Sequence, residues 1–280
     1  MSFTLGDKTA AQLGLRLLED VDDPILPATR DYTMEVPGRH GLYDFGSDLK
    51  EKQFNLPVMF VADGTDYDEP SEQMLQHYVR QLAAHLVDAY GRPKTMKFIF
   101  HREPDKYYMV RYSGTLSIDR ILRQSVGEFT LPLTAYDPYA YANANAYDPV
   151  ENYYYGKVDA DNNDLYYENP KTIEWKYQRH YSGVNNYSAI NTDFIIEISG
   201  SVINPSITNL ATGENLTLPD MRNNKIKINS RTYSIEVDGK STLKGTNGNF
   251  FSIQPGEDGF LFQGIDPSAV ITYKWLHKFL

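Results

Sequence analysis

The sequence has 280 residues, with 27 basic and 37 acidic side chains and a formal net charge of −10. Its length predicts two domains of ordinary size, and its 41% hydrophobic content excludes wholesale disorder. The acidic balance argues against a sequence-specific reader of nucleic acid, and the absence of cysteine excludes disulfides, thiolate metal sites and a cysteine nucleophile.

Two further exclusions come from hydropathy along the chain. The first ten residues have no cationic flank followed by an apolar run, so we expect no signal peptide. Apolar stretches such as Pro57–Ala62 have the length of strands and fall far short of the ~18 residues that a membrane-spanning helix needs. We therefore expect a protein made in the cytoplasm that does not insert into a membrane.

The first predicted elements are two strands. Residues Asp31–Val36 alternate apolar and polar side chains, with Tyr32, Met34 and Val36 on one face. A second strand is predicted over Phe54–Val61. Because Pro57 cannot donate a ladder hydrogen bond, we expect this strand to lie at a sheet edge or to carry a bulge.

A helix is predicted from Glu69 to Tyr90. Apolar residues recur there at spacings of three and four, which is typical of an amphipathic helix: Met74, Leu75, Tyr78, Val79, Leu82, Leu86 and Tyr90. Gly91 follows the last periodic residue, and Pro93 prevents continuation.

Three strand-like segments follow the helix, at residues 95–101, 107–118 and 126–134. A repeated β–α–β pattern would need several helices, whereas the sequence indicates one. We therefore predict an α+β domain over residues 1–142, with mostly antiparallel sheets and one helix.

The composition changes in the middle of the chain. Residues 136–187 contain 12 of the 22 tyrosines together with many Asn and Asp residues, and their apolar periodicity is weak. We assign residues 143–192 to a Tyr- and Asn-rich linker, arm or insertion.

The last segment, residues 193–280, shows short strands about ten residues apart without a helical pattern. This spacing predicts an antiparallel β-sandwich or jelly roll, with a start near residue 148 as an alternative boundary. The predicted strands are Phe194–Ser199, Ile207–Asn209, Asn215–Leu218, Lys225–Asn229, Thr232–Val237, Phe250–Ile253, Gly259–Gln263 and Ala269–Trp275.

Motifs for cofactor and metal binding are incomplete. Residues Gly239–Thr242 look like part of a phosphate-binding loop, but Ser234 stands where that motif needs its first glycine, so a hairpin turn is the better interpretation. Residues 159–164 look like the start of a calcium loop, but Asp164 and Pro170 replace the required Gly and Glu. The six histidines have no zinc-protease spacing, so we predict neither metal nor cofactor.

Catalytic motifs are also missing. The sequence has no Gly-x-Ser-x-Gly elbow, and among 37 acidic residues nothing selects a carboxylate pair for glycoside hydrolysis. We therefore predict no catalytic residues and a protein that is not an enzyme. Tyr273 and Trp275 share one face of the last predicted strand and are weak candidates for stacking on a saccharide. The same alternation suits a core position, which we favour.

The order of these segments resembles a known family. An α+β domain ends in the strand Phe129–Tyr139, and the C-terminal segment contains Asn204–Ile207, Asn229–Thr232, Phe250–Gly256 and the closing strand Val270–Trp275. Nearly the whole chain is similar to the distal tail protein (Dit) family of siphophages and prophages of Gram-positive bacteria. The Tyr- and Asn-rich stretch fits this family least well.

The resemblance implies a structural role in the virion. Family members form a hexameric ring through their N-terminal domains, at the phage tail tip or baseplate. The ring joins the tail tube to the tail-associated lysin or hub protein, with the tape measure as a possible further partner. The C-terminal galectin-like domain anchors receptor-binding proteins or contacts cell-wall saccharide during host attachment. The family supplies no catalytic, cofactor or metal residues.

Two alternatives stay open from the sequence. The C-terminal segment could act as a carbohydrate-binding, lectin-like module that the N-terminal domain only tethers. A glycan hydrolase with an unrecognised carboxylate pair is the other. Oligomer size separates the ring from both alternatives, because a ring has closed cyclic symmetry.

Overall fold

The structure is a computed structural model that describes residues 2–18, 24–61, 71–121, 126–143 and 171–280. Contacts divide the chain into two compact units. The first comprises Met1–Ala140 together with Leu280, and the second comprises Tyr141–Phe279.

The first unit consists of strands, a 3-10 helix at Ala11–Leu13 and one described α-helix. Its elements are β1 (Phe3–Leu5), β2 (Lys8–Thr9), β3 (Leu15–Leu17), β4 (Thr29–Glu35), β5 (Leu42–Leu49), β6 (Lys52–Val61), α1 (Ser71–Leu86), β7 (Thr95–Phe100), β8 (Lys106–Tyr112), β9 (Asp119–Ile121) and β10 (Val126–Ala135). Seven of the strands form an antiparallel sheet in the order β2-β1-β7-β8-β10-β6-β3, and β9 pairs with β10.

The expectation that β6 lies at a sheet edge or carries a bulge is wrong, because β6 lies between β10 and β3 and pairs with β10 without a shift of register. Strand β6 pairs with β10 along its whole length, but β3 covers only Val58–Phe60 on the other side. Pro57 is the residue just before that cover, and its carbonyl accepts the backbone N–H of Leu18 at 2.8 Å. The missing N–H of the proline therefore interrupts no regular ladder.

An aromatic cluster fills the core of this unit. Phe54 lies at its centre, with ring centroids 5.3 Å from Phe98, 6.0 Å from Phe100 and 4.9 Å from Tyr108. Tilted and edge-to-face pairs at these separations add to the free energy gained by burial. All four side chains are buried, and Phe98 and Phe100 lie two positions apart in β7, as the period of two along a strand predicts.

Helix α1 uses the apolar stripe that its sequence predicted. Leu75, Leu82 and Leu86 are buried, and the ring of Tyr78 stacks on Phe60 with an interplanar angle of 8°. The helix ends at Leu86, earlier than the predicted Tyr90, and its predicted start before Ser71 lies outside the described residues. The predicted C-terminal end of the helix is therefore wrong. The Asp88 carboxylate accepts the backbone N–H groups of Tyr90 and Arg92, which places these residues in a separate turn.

Every regular secondary-structure element that the structure describes in the second unit is a strand. Its elements are β11 (Ala140–Ala142, which begins at the boundary), β12 (Lys171–Trp175), β13 (Arg179–Asn186), β14 (Phe194–Asn209), β15 (Asn215–Thr217), β16 (Met221–Asn229), β17 (Ser234–Val237), β18 (Lys240–Ser241), β19 (Gly256–Trp275) and β20 (Lys278–Phe279). The main strand order is β12-β19-β14-β16-β17-β18. Strand β13 pairs with β19, and β15 pairs with β14.

The main sheet of this unit folds back on itself. Phe260 and Tyr273 are thirteen residues apart in β19, so a straight strand would separate them by about 43 Å. Their ring centroids are instead 5.9 Å apart. The first half of β19 pairs with β13, and its second half pairs with β12. The long strands therefore contribute to both layers of a sandwich, with the core between the layers.

Bends in the long strands make this folding possible. The pairing of β14 with its neighbours shifts register on both sides of Val202. Gly200, at a φ of 138°, lies just before the shift, in a region of backbone conformation that only glycine adopts readily. The sequence analysis predicted separate strands here and again over 259–275, whereas the structure has one bent strand in each place.

Part of the predicted linker belongs to the sandwich. Strands β12 and β13 both lie within residues 143–192, and their side chains Trp175 and Val184 are buried in the core. The assignment of residues 171–186 to a linker is therefore wrong. Residues 144–170 lie outside the described part of the chain.

The fold class follows from these elements. The protein is mostly β, with one helix in the described residues and antiparallel pairing throughout the strand pairs described above. The galectin-like jelly roll of the C-terminal unit stays a prediction. In the described part of the chain, no helix is long and apolar enough to cross a membrane.

Candidate functional site

The candidate site is the β4–β5 hairpin of the first unit. The two strands form a sheet of their own, in which Met34 lies opposite Tyr43 and Glu35 lies opposite Leu42. The turn between them is closed by the backbone N–H of Arg39, which donates to the carbonyl of Val36 at 3.1 Å.

The hairpin exposes apolar side chains, among them Tyr32 and Met34, which the sequence placed on one face of a strand. Every residue of β4 is exposed, and so is every residue of β5 except Leu49, which is half-buried. The exposed apolar residues on and just before the hairpin are Ile25, Leu26, Tyr32, Met34, Leu42, Tyr43 and Phe45.

Polar side chains hold some of these aromatic rings in place. The hydroxyl of Tyr32 donates to the Asp48 carboxylate at 3.0 Å, across the two strands. The guanidinium carbon of Arg39 lies 3.9 Å from the ring centroid of Tyr43, which is cation–π geometry. Tyr, Met and Arg are enriched at the cores of protein–protein interfaces, where they supply most of the binding energy. The hairpin therefore has the chemistry of a protein-binding surface.

An isolated two-stranded hairpin is at best marginally stable in water. A hairpin that exposes this much apolar surface on both faces is stabilised when another chain covers it. The arrangement can therefore bind a protein.

The two saccharide candidates lie in the core of the second unit. Tyr273 is fully buried and Trp275 is 2% exposed, so neither ring presents a face on which a sugar could stack. Burial raises the pKa of Tyr273, and the Ser182 side chain partly offsets that rise. We adopt the core interpretation that the alternation also allowed.

The remaining motifs have ordinary structural roles or lie outside the described residues. In the segment 239–242, Val237 pairs with Lys240 across Asp238 and Gly239, which both have positive φ, as a two-residue hairpin turn requires. The calcium-like stretch 159–164 lies outside the described residues. Within the described part of the chain, no group of three His, Asp or Glu side chains is arranged to hold a metal ion.

Comparisons with known proteins address both units. Residues 8–135 match the family model described as "Phage tail protein RIFT-related domain". A search of the curated proteins found no match.

Solved structures match over the length of the chain. The crystal structure of the Dit protein (gp 19.1) of phage SPP1, described as a paradigm of the hub adsorption apparatus in phages that infect Gram-positive bacteria, matches with a TM-score of 0.69 at 14% identity. The match covers 100% of this chain and 99% of that one. A chain of the phage P2 baseplate, in its activated conformation with Ca, matches with a TM-score of 0.38 at 10% identity, covering 99% and 97% of the two chains.

The family domain accounts for the hairpin, α1 and nearly all of the first sheet, since it ends at the last residue of β10. The match to the SPP1 protein extends the similarity through the folded sheet of the second unit. Together these findings confirm the resemblance that the sequence indicated: residues 8–135 match the phage tail protein RIFT-related domain, and the chain as a whole is similar in fold to the SPP1 Dit protein.

Proposed function

We propose that this protein is a structural, non-enzymatic component of a phage tail tip or baseplate and forms a hexameric ring through its first unit. In this role the ring joins the tail tube to the tail-associated lysin. The second unit anchors receptor-binding proteins and faces the host. The distal tail fold and the phage tail domain in residues 8–135 support this proposal.

The β4–β5 hairpin carries the proposal. Its apolar side chains project from a two-stranded sheet that pairs with no third strand among the described residues. In a ring of identical subunits, each subunit presents one surface to the neighbour on one side and a different surface to the other. We infer that the hairpin of each subunit packs on the first unit of the next, which covers Met34 and Tyr43.

A double substitution tests this inference. Met34→Asp with Tyr43→Asp places two carboxylates on one face of the hairpin, where the residues lie directly opposite each other. Molar mass is measured by light scattering, and folding is checked by circular dichroism and thermal melting. In the single chain, Met34 is 49% exposed and Tyr43 is 41% exposed, so we expect the variant to fold as the wild type does. We expect it to remain monomeric.

The matched control is Leu243→Asp. Leu243 is a 62% exposed apolar residue of the second unit, and the substitution adds one carboxylate. This variant is expected to assemble like the wild type. Assembly of the hairpin variant at wild-type concentrations would contradict the proposed interface.

The lectin-like alternative has no comparable support. Its two candidate residues, Tyr273 and Trp275, lie in the core. We therefore propose no second function for the chain.

A further inference from the structure

A lysine ammonium lies at the edge of the aromatic cluster in the first unit. Lys52 is the first residue of β6, and it is only 3% exposed. Because side chains two positions apart share a face of a strand, Lys52 lies on the same face as the buried Phe54. Its Nζ atom lies 4.8 Å from the ring centroid of Tyr108 and 5.6 Å from that of Phe54. The cluster therefore contains a positive charge that is shielded from bulk water.

The protein gives this ammonium few partners. Its Nζ donates one hydrogen bond to the Tyr108 hydroxyl at 3.0 Å, and no described carboxylate forms an ion pair with it. A lysine ammonium has three N–H donors, so two of them have no acceptor in the described part of the chain. The Tyr108 hydroxyl accepts from Lys52 and keeps its own O–H to donate.

Other lysines of this chain show the usual way to place an ammonium away from water. Lys274 and Lys278 are half-buried, and their Nζ atoms contact the carboxylates of Glu197 at 3.1 Å and Asp193 at 2.9 Å. Lys52 is more deeply buried and has no such carboxylate among the described residues. The faces of the aromatic rings attract the ammonium, but they replace neither its lost hydration nor a counter-ion completely.

We propose that a small monovalent anion such as chloride binds between Lys52 and Tyr108. Since Nζ and the hydroxyl oxygen are 3.0 Å apart, one ion can accept hydrogen bonds from both groups. A water molecule would supply an acceptor but no negative charge, whereas an anion supplies both. The buried position favours a monovalent ion over a divalent one, because the cost of removing an ion from water rises with its charge.

The bound ion has a structural role in the first unit. Lys52 lies on β6 and Tyr108 on β8, and β10 lies between these strands in the sheet. The ion therefore links two strands that no backbone ladder joins directly. This proposal does not depend on ring assembly, because both residues belong to the core of one unit.

Urea denaturation of the full chain at constant ionic strength tests the proposal, with sodium gluconate replaced stepwise by sodium chloride. Far-ultraviolet circular dichroism follows unfolding, since α1, the one helix of the described residues, lies in the first unit. A ligand that binds only the folded state lowers the unfolding equilibrium constant by about elevenfold when its concentration is about ten times its dissociation constant. We expect such a saturable dependence on chloride. Equal stability in the two salts, or a rise without saturation, would overturn the proposal.

Two variants locate the ion. Lys52→Met removes the ammonium but keeps a long unbranched side chain, and we expect the chloride dependence to disappear. Tyr108→Phe removes only the hydroxyl, and we expect it to weaken the dependence.

Lys97→Met is the matched control. Lys97 is a half-buried lysine of the same unit, and its Nζ lies 4.6 Å from the ring centroid of Tyr107. This variant removes the same charge from the face of a tyrosine, and we expect it to keep the chloride dependence of the wild type. Persistence of that dependence in Lys52→Met, or its equal loss in Lys97→Met, would contradict the proposed site.

Discussion

Gly200→Ala is the substitution that most directly tests how the second unit folds. A Cβ at residue 200 would lie 2.2 Å from the carbonyl oxygen of Ser268 and 2.7 Å from the Cα of Ala269. Carbon and oxygen atoms approach to about 3.3 Å without a covalent bond, so the overlap is about 1.1 Å. Strands β14 and β19 must separate by a similar distance to relieve it.

The cost of this substitution has two parts. A separation of about 1 Å stretches ladder hydrogen bonds beyond the usual range of 2.7–3.2 Å, and losing two of them costs about 1–3 kcal/mol. The backbone φ of 138° is a conformation that alanine adopts only with a strain of about 1–3 kcal/mol. We therefore expect Gly200→Ala to lower the free energy of unfolding by about 2–6 kcal/mol.

Equilibrium urea denaturation followed by tryptophan fluorescence measures this change in the correct unit. The chain contains two tryptophans, Trp175 and Trp275, and both lie in the core of the second unit. Gly213→Ala is the matched control, because Gly213 also has a positive φ (75°) but a Cβ there meets no atom within 4 Å. We expect the control to lose about 1–2 kcal/mol. A loss in Gly200→Ala no larger than in the control would refute the close approach of β14 and β19.

Three further predictions concern packing and charge. Gly14→Ala is expected to destabilise the first unit by about 1–3 kcal/mol, because Gly14 has a φ of 70° and the new Cβ would lie 2.8 Å from the Tyr78 ring. Thermal melting measures this loss against a Gly38→Ala control, in which the new Cβ meets no atom within 4 Å. Tyr273→Phe is expected to leave the free energy of unfolding unchanged or raise it by up to about 1 kcal/mol, because the Ser182 side chain lies near the buried hydroxyl but no described residue meets hydrogen-bond geometry with it; a clear loss in urea denaturation would show that the hydroxyl is paired. Hydrogen bonding to Lys225 and Lys274 lowers the pKa of Glu197 in the folded protein, so its stabilising contribution is present above the ordinary value of 4.5 and is lost as the pH falls through the lowered pKa. The stability difference between wild type and Glu197→Gln should therefore be largest near neutral pH and vanish in acid; a difference that grows on acidification would contradict this sign.

Local signals predicted the parts of the fold that depend on neighbouring residues. The spacing of Leu75, Leu82 and Leu86 predicted α1 because a helix buries positions three and four apart. The pair Asp238 and Gly239 predicted the turn between β17 and β18, because both residues tolerate positive φ. These features need no information from distant parts of the chain.

The bent strands could not be predicted in the same way. Asn204, at a φ of 51°, and Pro205 are typical of a turn that ends a strand, and here they lie inside β14. A bend and a chain reversal use the same residues, and only pairing with β19 distinguishes them. Strand β13 was missed because its sequence lacks the apolar alternation that identifies a strand, and β12 was missed because its alternation of Ile173 and Trp175 spans only five residues.

The candidate site depends on information that the sequence pattern does not contain. Alternation over Asp31–Val36 identified an apolar face, but alternation cannot tell whether the same chain or another one covers that face.

The molar mass of the wild-type protein, measured by light scattering over a concentration series, tests the central claim most directly. A hexamer has a mass of about 190 kDa, six times the 32.0 kDa of the protomer, and closed symmetry keeps that mass constant above the assembly concentration. We predict this plateau, and its loss in the Met34→Asp, Tyr43→Asp variant. A mass of 32.0 kDa at every concentration would contradict the proposal that this chain assembles into a ring.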